Sequence, residues 1–268
     1  MISIRKFSKR AITLAKMVEQ GNISQAMATV LTIAAKARLN ILVSGGTGSG
    51  KTTLLNALSQ QIDPTERIIT IEDAAELQLQ QPRVGRLETR VANLEGKGAI
   101  TIRDLFRNAL RMRPDRIIVG EIRGAESMDM LQAMNSGHDG SLGTIHASGP
   151  REALTRIENL LEMSGVSLPT RAARAQIATA LDMIVQVSRM ADGKRRITSI
   201  MEVLGMEGDV ITTQELFTYQ FERLTGEGHL KGNFVPSKLS PYFLPKAEYV
   251  GLGRELVRVM NLESSETR

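Results

Sequence analysis

Residues 45–53 read GGTGSGKTT and fit the pattern G-x-x-x-x-G-K-[ST], with Gly45, Gly50, Lys51 and Thr52 at the defining places. The apolar run "LNILVSG" (39–45) leads in as a buried strand. "KTTLLNALSQQI" (51–62) leads out as a helix that stops before Pro64. This strand, glycine-rich loop and helix predict a phosphate cradle. Glycines let backbone N–H groups converge on phosphate oxygens without side chains in the way. Lys51 supplies a point charge beside the outer phosphates, and the Thr52 hydroxyl is a ligand for Mg²⁺. Gly46, Thr47, Gly48, Ser49 and Thr53 complete the cradle, and the positive end of the helix dipole adds to it. The other reading of the stretch, a glycine-rich turn, leaves the flanking strand and helix without a purpose.

Working outward, such a cradle needs an acid on a neighbouring strand to handle magnesium or the attacking water. "DRIIVGEIRG" (115–124) offers one, because the buried run Ile117-Ile118-Val119 ends at Glu121, followed closely by Arg123. The usual element carries an aspartate directly on the apolar strand; here the pair is Gly120-Glu121. "RIITIED" (67–73) ends in Glu72 and Asp73, a second source of metal or water contacts. "GHDGSLGTIHA" (137–147) holds His138 and His146, two of the three histidines in the chain. Each is either a sensor of phosphate or water, or a structural histidine; their spacing does not suit a zinc site. Arginines crowd residues 83–123, and Arg103, Arg107 and Arg111 share one helix face. Most of them form a solvated face or an interface. Arg86 and Arg90 are the candidates for arginine fingers donated across a subunit boundary.

Around these motifs, strands alternate with helices, which predicts an α/β layer with a largely parallel sheet. Residues 2–7 are a candidate strand, and 12–38 read as two helices broken at Gly21-Asn22. "RVGRLETR" (83–90) alternates as a strand. "TIRDLFRNALRMR" (101–113) is a helix opening on a Thr-x-x-Asp that resembles a capping box. A helix at 125–136 carries Met128, Met130 and Met134, read as core filling. Residues 150–181 are helical. "MIVQVSR", "RRITSIMEVLGM" and "DVITTQELFTYQF" are strands separated by the turns "ADGKR" and "MEGD". Beyond Glu222 the chain is rich in Gly and Pro, weakly periodic, and closes with a short helix at 252–261.

Composition narrows the partners. Of 268 residues, 42% are hydrophobic and 24% charged, ordinary for a globular chain. The net charge of +5 permits acidic partners without demanding them. Aromatic residues make up only 3% and Trp is absent, which argues against base-stacking platforms and direct nucleic-acid binding. There is no Cys, so neither disulfides nor thiolate metal sites form. The opening "MISIRKFSKR" does not read as a secretory signal. No run approaches the roughly 18 apolar residues of a membrane span.

Taken together, "GGTGSGKTT", "IEDAAEL", "LETRVANLEGKGAITIRDLFRNALRMRPDRIIVGEIRGAE" and "MNSGHDGSLGTIHA" resemble the secretion-superfamily (type II/IV) ATPases. There the blocks are the Walker A, Asp box, atypical Walker B and His box. The similarity runs to about residue 221 and is closest to the CpaF-type branch that powers Flp/Tad pilus assembly. The resemblance implies a RecA-like P-loop core at 39–149, completed by 150–221, after a linker and N-terminal-domain remnant at 1–38 and before an extension at 222–268. It also implies a hexameric ATPase using ATP and Mg²⁺, cytoplasmic and docked on an inner-membrane platform protein of a pilus or secretion machine. Lys51 and Thr52 take the Walker A roles, Glu121 and Glu72 share metal binding and water activation, and His146 is the His-box sensor. The first residues look like the last strand of an N-terminal domain otherwise lacking, and "TRVAN" lacks the prolines the family carries there. The competing readings are a conjugative DNA-transfer ATPase and a nucleotide-binding but non-catalytic fragment.

Overall fold

The computed structural model describes residues 12–224 and 230–261. The candidate strand at 2–7 lies outside them. Two short helices open the described chain, α1 (Leu14–Glu19) and α2 (Gln25–Lys36), each capped by a hydroxyl: Thr13 Oγ1 accepts from Lys16 N and Ser24 Oγ from Met27 N. Alternation follows: β1 (Ile41–Gly45), α3 (Lys51–Ser59), β2 (Ile68–Glu72), β3 (Val84–Glu88), α4 (Ile102–Ala109), β4 (Arg116–Ile122), α5 (Glu126–Asn135) and β5 (Leu142–Ile145). Then come α6 (Pro150–Glu162), α7 (Thr170–Ala180), β6 (Met183–Arg189), β7 (Arg195–Glu207), β8 (Val210–Leu224), β9 (Leu230–Pro236), α8 (Leu244–Tyr249) and α9 (Gly253–Val259).

The strands make one sheet in the order β3-β2-β4-β5-β1-β6-β7-β8-β9. From β3 to β6 all pairs are parallel, and from β6 onward all are antiparallel. Runs such as Ile41-Leu42-Val43 are buried on both faces, which is why they read as continuous apolar stretches. Ile41 and Val43 point into one core with α1, α2, α3, α8 and α9; Leu42 points into the other with α4 to α7. Met128, Met130 and Met134 fill that second core, as their spacing predicts. The capping box at Thr101 and Asp104 is complete in both directions.

The end of the chain differs from its reading as weakly periodic. Residues 230–236 form β9, which pairs with β8, and α8 and α9 pack their buried faces, Phe243, Ala247, Leu256 and Met260, into the first core. The signal is faint for physical reasons. β9 is an edge strand carrying Gly232 and Pro236, and the two helices have only 6 and 7 residues. Helices this short hold through tertiary packing rather than propensity. The start of α8 is held from the sheet by buried Glu202, whose carboxylate accepts from the N–H groups of Tyr242 and Phe243 at 2.9 and 3.0 Å.

Parallel β1, β2, β4 and β5 all run the same way, so their C-terminal tips meet along one edge. That is where an open α/β sheet collects its ligand.

Candidate active site

The tip of β1 enters the cradle. Gly45 has no room for a side chain: a Cβ there would collide with the Val187 carbonyl oxygen and Ser49 Oγ. Gly48 and Gly50 take φ of +67° and +103°, a region L side chains avoid, and Gly50 is the N-cap of α3. Ser49 folds inward and donates to the Gly46 carbonyl at 2.9 Å. Lys51 lies back over the loop, its Nζ 3.0 Å from the carbonyl oxygen of Gly45 and 3.1 Å from that of Gly46. Burial lowers the Lys51 pKa, Glu121 opposes that shift, and Arg123 adds to it.

β4 carries Glu121 to the same place by an irregularity. Val119 pairs with Gly143 and Ile122 with Ile145, so β4 advances three residues while β5 advances two. This bulge turns Gly120 and Glu121 out of the ladder, and Thr144 Oγ1 secures it by donating to the Gly120 carbonyl at 2.6 Å. Glu121 Oε2 accepts from Nε of Arg123 at 2.8 Å and also from its Nη2. Arg123 Nη1 reaches Asp73 Oδ2 at 3.0 Å. Glu72, at the tip of β2, is buried, and its Oε1 accepts from the N–H groups of Glu76 and Leu77, both at 2.9 Å. Burial raises its pKa, and the two backbone donors pull against that.

These residues line one cleft of about 1140 Å³, with Thr47, Gly48, Ser49, Gly50, Lys51, Thr52 and Thr53 on its floor and Glu72, Glu121, Thr144 and His146 on its side. Gly45 and Gly46 do not line the cleft; their carbonyls accept from Lys51 Nζ. His146, just past β5, is exposed to the cleft; His138 sits apart, with Nδ1 3.3 Å from the Ala133 carbonyl oxygen. Arg86 and Arg90 do not line the cleft. Arg86 donates to the Leu79 carbonyl at 3.4 Å and Arg90 to that of Gly98 at 2.7 Å, on the edge strand β3 and beyond it. Arg103 and Arg107 pair with Asp129 on α5.

Sequence reasoning missed the opposite wall. It is built by Ile12, Met17, Gln20 and Asn22 around α1, and by Gly193, Lys194, Arg195 and Arg196 of the β6–β7 hairpin. Arg195 Nε donates to the Gly48 carbonyl at 2.9 Å, and Asn22 Nδ2 holds the Arg195 carbonyl at 2.6 Å. The run Lys194-Arg195-Arg196, partly inside the turn "ADGKR", is the signal in the sequence that points to this wall.

Among the described residues, no group of three or more His, Cys, Asp or Glu side chains is placed to hold a metal ion. The Thr52 hydroxyl and the Glu121 carboxylate offer instead an all-oxygen partial set. That set suits a Mg²⁺ which takes its remaining ligands from phosphate and water. A floor rich in backbone N–H groups around Lys51, with carboxylates on one side, can accommodate a polyphosphate.

The sequence profile of the type II/IV secretion system protein family matches residues 1–217. A putative conjugal transfer protein of Mycobacterium tuberculosis is 44% identical over 209 residues, 78% of this chain and 59% of the relative. The type IV secretion system protein PtlH of Bordetella pertussis is 43% identical over 177 residues, 63% of this chain and 52% of the relative. Among solved structures, the VirB11 ATPase of the Brucella suis type IV secretion system, in complex with sulphate, superposes with a TM-score of 0.59 at 32% identity, covering 72% of this chain and 56% of that one. The chain spans a little over half the length of each. Its α/β core with a mainly parallel sheet is the RecA-like fold that the motifs implied. With the profile covering most of its length, the chain belongs to the type II/IV secretion system protein family.

Proposed function

We propose that the cleft binds ATP with Mg²⁺ and hydrolyses it, and that the chain is the catalytic core of a secretion-type motor. One observation carries this reading: Lys51 of the cradle and Glu121 of the neighbouring strand line the same cleft, although 70 positions separate them in the sequence. The backbone of residues 46–53 receives the phosphates, and Lys51 leaves its carbonyl partners for phosphate oxygens. Thr52 and Glu121 hold Mg²⁺, which neutralises phosphate charge when bound. Glu121 and Glu72 share the orientation and deprotonation of the attacking water, and His146 reads the outer phosphate. A hexameric ring, with Arg86 or Arg90 donated to the neighbouring subunit, adds further positive charge to the transition state.

For the machine served, the "NLEGKG" and "GMEGDVIT" stretches favour Flp/Tad pilus assembly, with docking on an inner-membrane platform protein. The second reading, a DNA-transfer ATPase, is favoured by the name of the 44%-identical Mycobacterium relative. Among the described residues no helix is long and apolar enough to cross a membrane.

The test is phosphate release from Mg-ATP per chain over a range of protein concentrations, with Glu121→Gln alongside. Activity that rises with concentration and vanishes in the variant supports catalytic sites shared between subunits. Activity no higher than the variant's at every concentration, with nucleotide still bound, overturns the catalytic reading and leaves a nucleotide-binding fragment.

A further inference from the structure

The guanidinium of Arg123 ties together two strand tips on the rim of the cleft. It holds Glu121 Oε2 from β4 through Nε at 2.8 Å and Asp73 Oδ2 from beyond β2 through Nη1 at 3.0 Å. The backbone beneath it is fixed. The N–H groups of Arg123 and Gly124 donate to Oε1 of buried Glu126 at 2.6 and 2.8 Å, and β4 is pinned at Gly120 by Thr144. The head of the side chain is not fixed in the same way, because it is 62% exposed. Its ion pairs are therefore of the solvent-screened kind that stabilise a fold very little. An anchored base with a solvent-exposed charged head that bridges two acids is the geometry of a group that can exchange partners.

The partner it exchanges for follows from what else lines the cleft. Of the other cations lining the cleft, Lys51 belongs to the phosphate cradle itself, and Lys194, Arg195 and Arg196 lie on the β6–β7 hairpin, Arg195 bonded to the Gly48 carbonyl and Arg196 to Asp192. Arg123 alone among these is paired with the candidate catalytic carboxylate. A guanidinium matches a phosphate through two parallel N–H donors, and a terminal phosphate carries more charge than one carboxylate. A nucleoside diphosphate bound by the same cradle lacks that group.

We propose that Arg123 distinguishes a nucleoside triphosphate from a diphosphate in this cleft: with no terminal phosphate present it holds Glu121, and a terminal phosphate draws it off and releases Glu121 for the water. The inference rests on the reading of the cleft as a nucleotide site. Arg123 is then a specificity-determining and positioning residue, and the selectivity comes from differential affinity of one side chain for two partners.

The experiment is a pair of equilibrium titrations, with Mg-ADP and with the non-hydrolysable triphosphate Mg-AMP-PNP, on the full chain and its Arg123→Ala and Arg123→Lys variants, with Lys51→Ala as the binding control. The expected result is selective. Arg123→Ala weakens AMP-PNP by on the order of tenfold or more, leaves ADP within about twofold, and Arg123→Lys recovers part of the loss. A merely structural role would move both ligands together. Equal changes for the two nucleotides, or none, with binding still dependent on Lys51, overturn the role of Arg123 and leave the nucleotide site standing. If neither nucleotide binds the unaltered chain, both readings fall. Arg123→Lys decides the matter alone if Arg123→Ala does not fold.

Discussion

A methyl group on Gly120 would sit 3.0 Å from Cγ of Glu72. The tips of β4 and β2 are thus in tight contact, and a side chain at 120 in place of the glycine of the Gly-Glu pair would press on Glu72. The acid of β4 stands one residue along, on the bulge.

Gly120→Ala therefore displaces Glu72 without removing any functional group. A misplacement of about 1 Å at a reacting centre costs about a hundredfold in rate, and the smaller shift needed here costs several-fold to about tenfold. The expected outcome is a fall in ATP turnover of that order with the melting temperature nearly unchanged, read by phosphate release and thermal unfolding in parallel. Unaltered turnover would mean that the position of Glu72 does not matter to the chemistry.

Gly45→Ala acts on the cradle instead. Its Cβ would overlap the Val187 carbonyl oxygen, which belongs to β6 and cannot rotate away, as well as Ser49 Oγ. Overpacking of this kind costs about 1–3 kcal/mol, and the loop that must shift is the one that receives phosphate. Denaturant unfolding should show that loss, and nucleotide titration should show weakened binding of ADP and ATP alike.

At the opposite end of the strands, Arg116 is 1% exposed and meets Glu66 with both Nε and Nη2 at 2.7 Å. It also donates to the Ala35 carbonyl at 2.9 Å, tying α2 to β4. Removing one partner of such a pair leaves a charge buried, at about 3–5 kcal/mol. Glu66→Ala should lose that much in chemical denaturation. Arg116→Met with Glu66→Leu should lose less, because no charge is stranded.

Glu202 gives a pH signature. Burial raises its pKa, against the pull of the donors Tyr242 N, Phe243 N and the Gln214 amide, and nearby Asp182 adds to the rise. The folded protein then binds this proton more tightly than the unfolded chain. Its contribution is fully present below the ordinary glutamate value of about 4.3 and is lost as pH rises through the raised value. The stability of the unaltered chain relative to Glu202→Gln should decline from that pH upward. Thermal unfolding of both proteins from pH 4 to about 7 tests this, and a difference that grows with pH would reverse the assignment.

The sequence revealed what local constraint writes into it. The cradle is one contiguous stretch whose glycines and lysine have little freedom, and the doubly buried strands announce themselves as apolar runs. The helix start at Thr101 was legible from its Thr-x-x-Asp, whereas the caps at Thr13 and Ser24 came only with the structure. The far wall of the cleft was not legible, because it joins Asn22 to Arg195 across 173 positions and neither residue belongs to a motif. Arg86 and Arg90 belong to a stretch dense in arginines, and within one chain they lie outside the cleft lining. Arg123 was visible as a neighbour of Glu121, but its bond to Asp73 depends on β2 lying beside β4 in the sheet.

The most direct measurement is a calorimetric titration of Mg-ATP into the chain and into Lys51→Ala. Charge-assisted hydrogen bonds from one lysine to phosphate are worth about 1.5–3 kcal/mol, so the variant should bind roughly ten- to a hundredfold more weakly while keeping its thermal stability. Equal affinity for ATP in the two proteins, or none in either, would contradict the reading of the cleft as a nucleotide site.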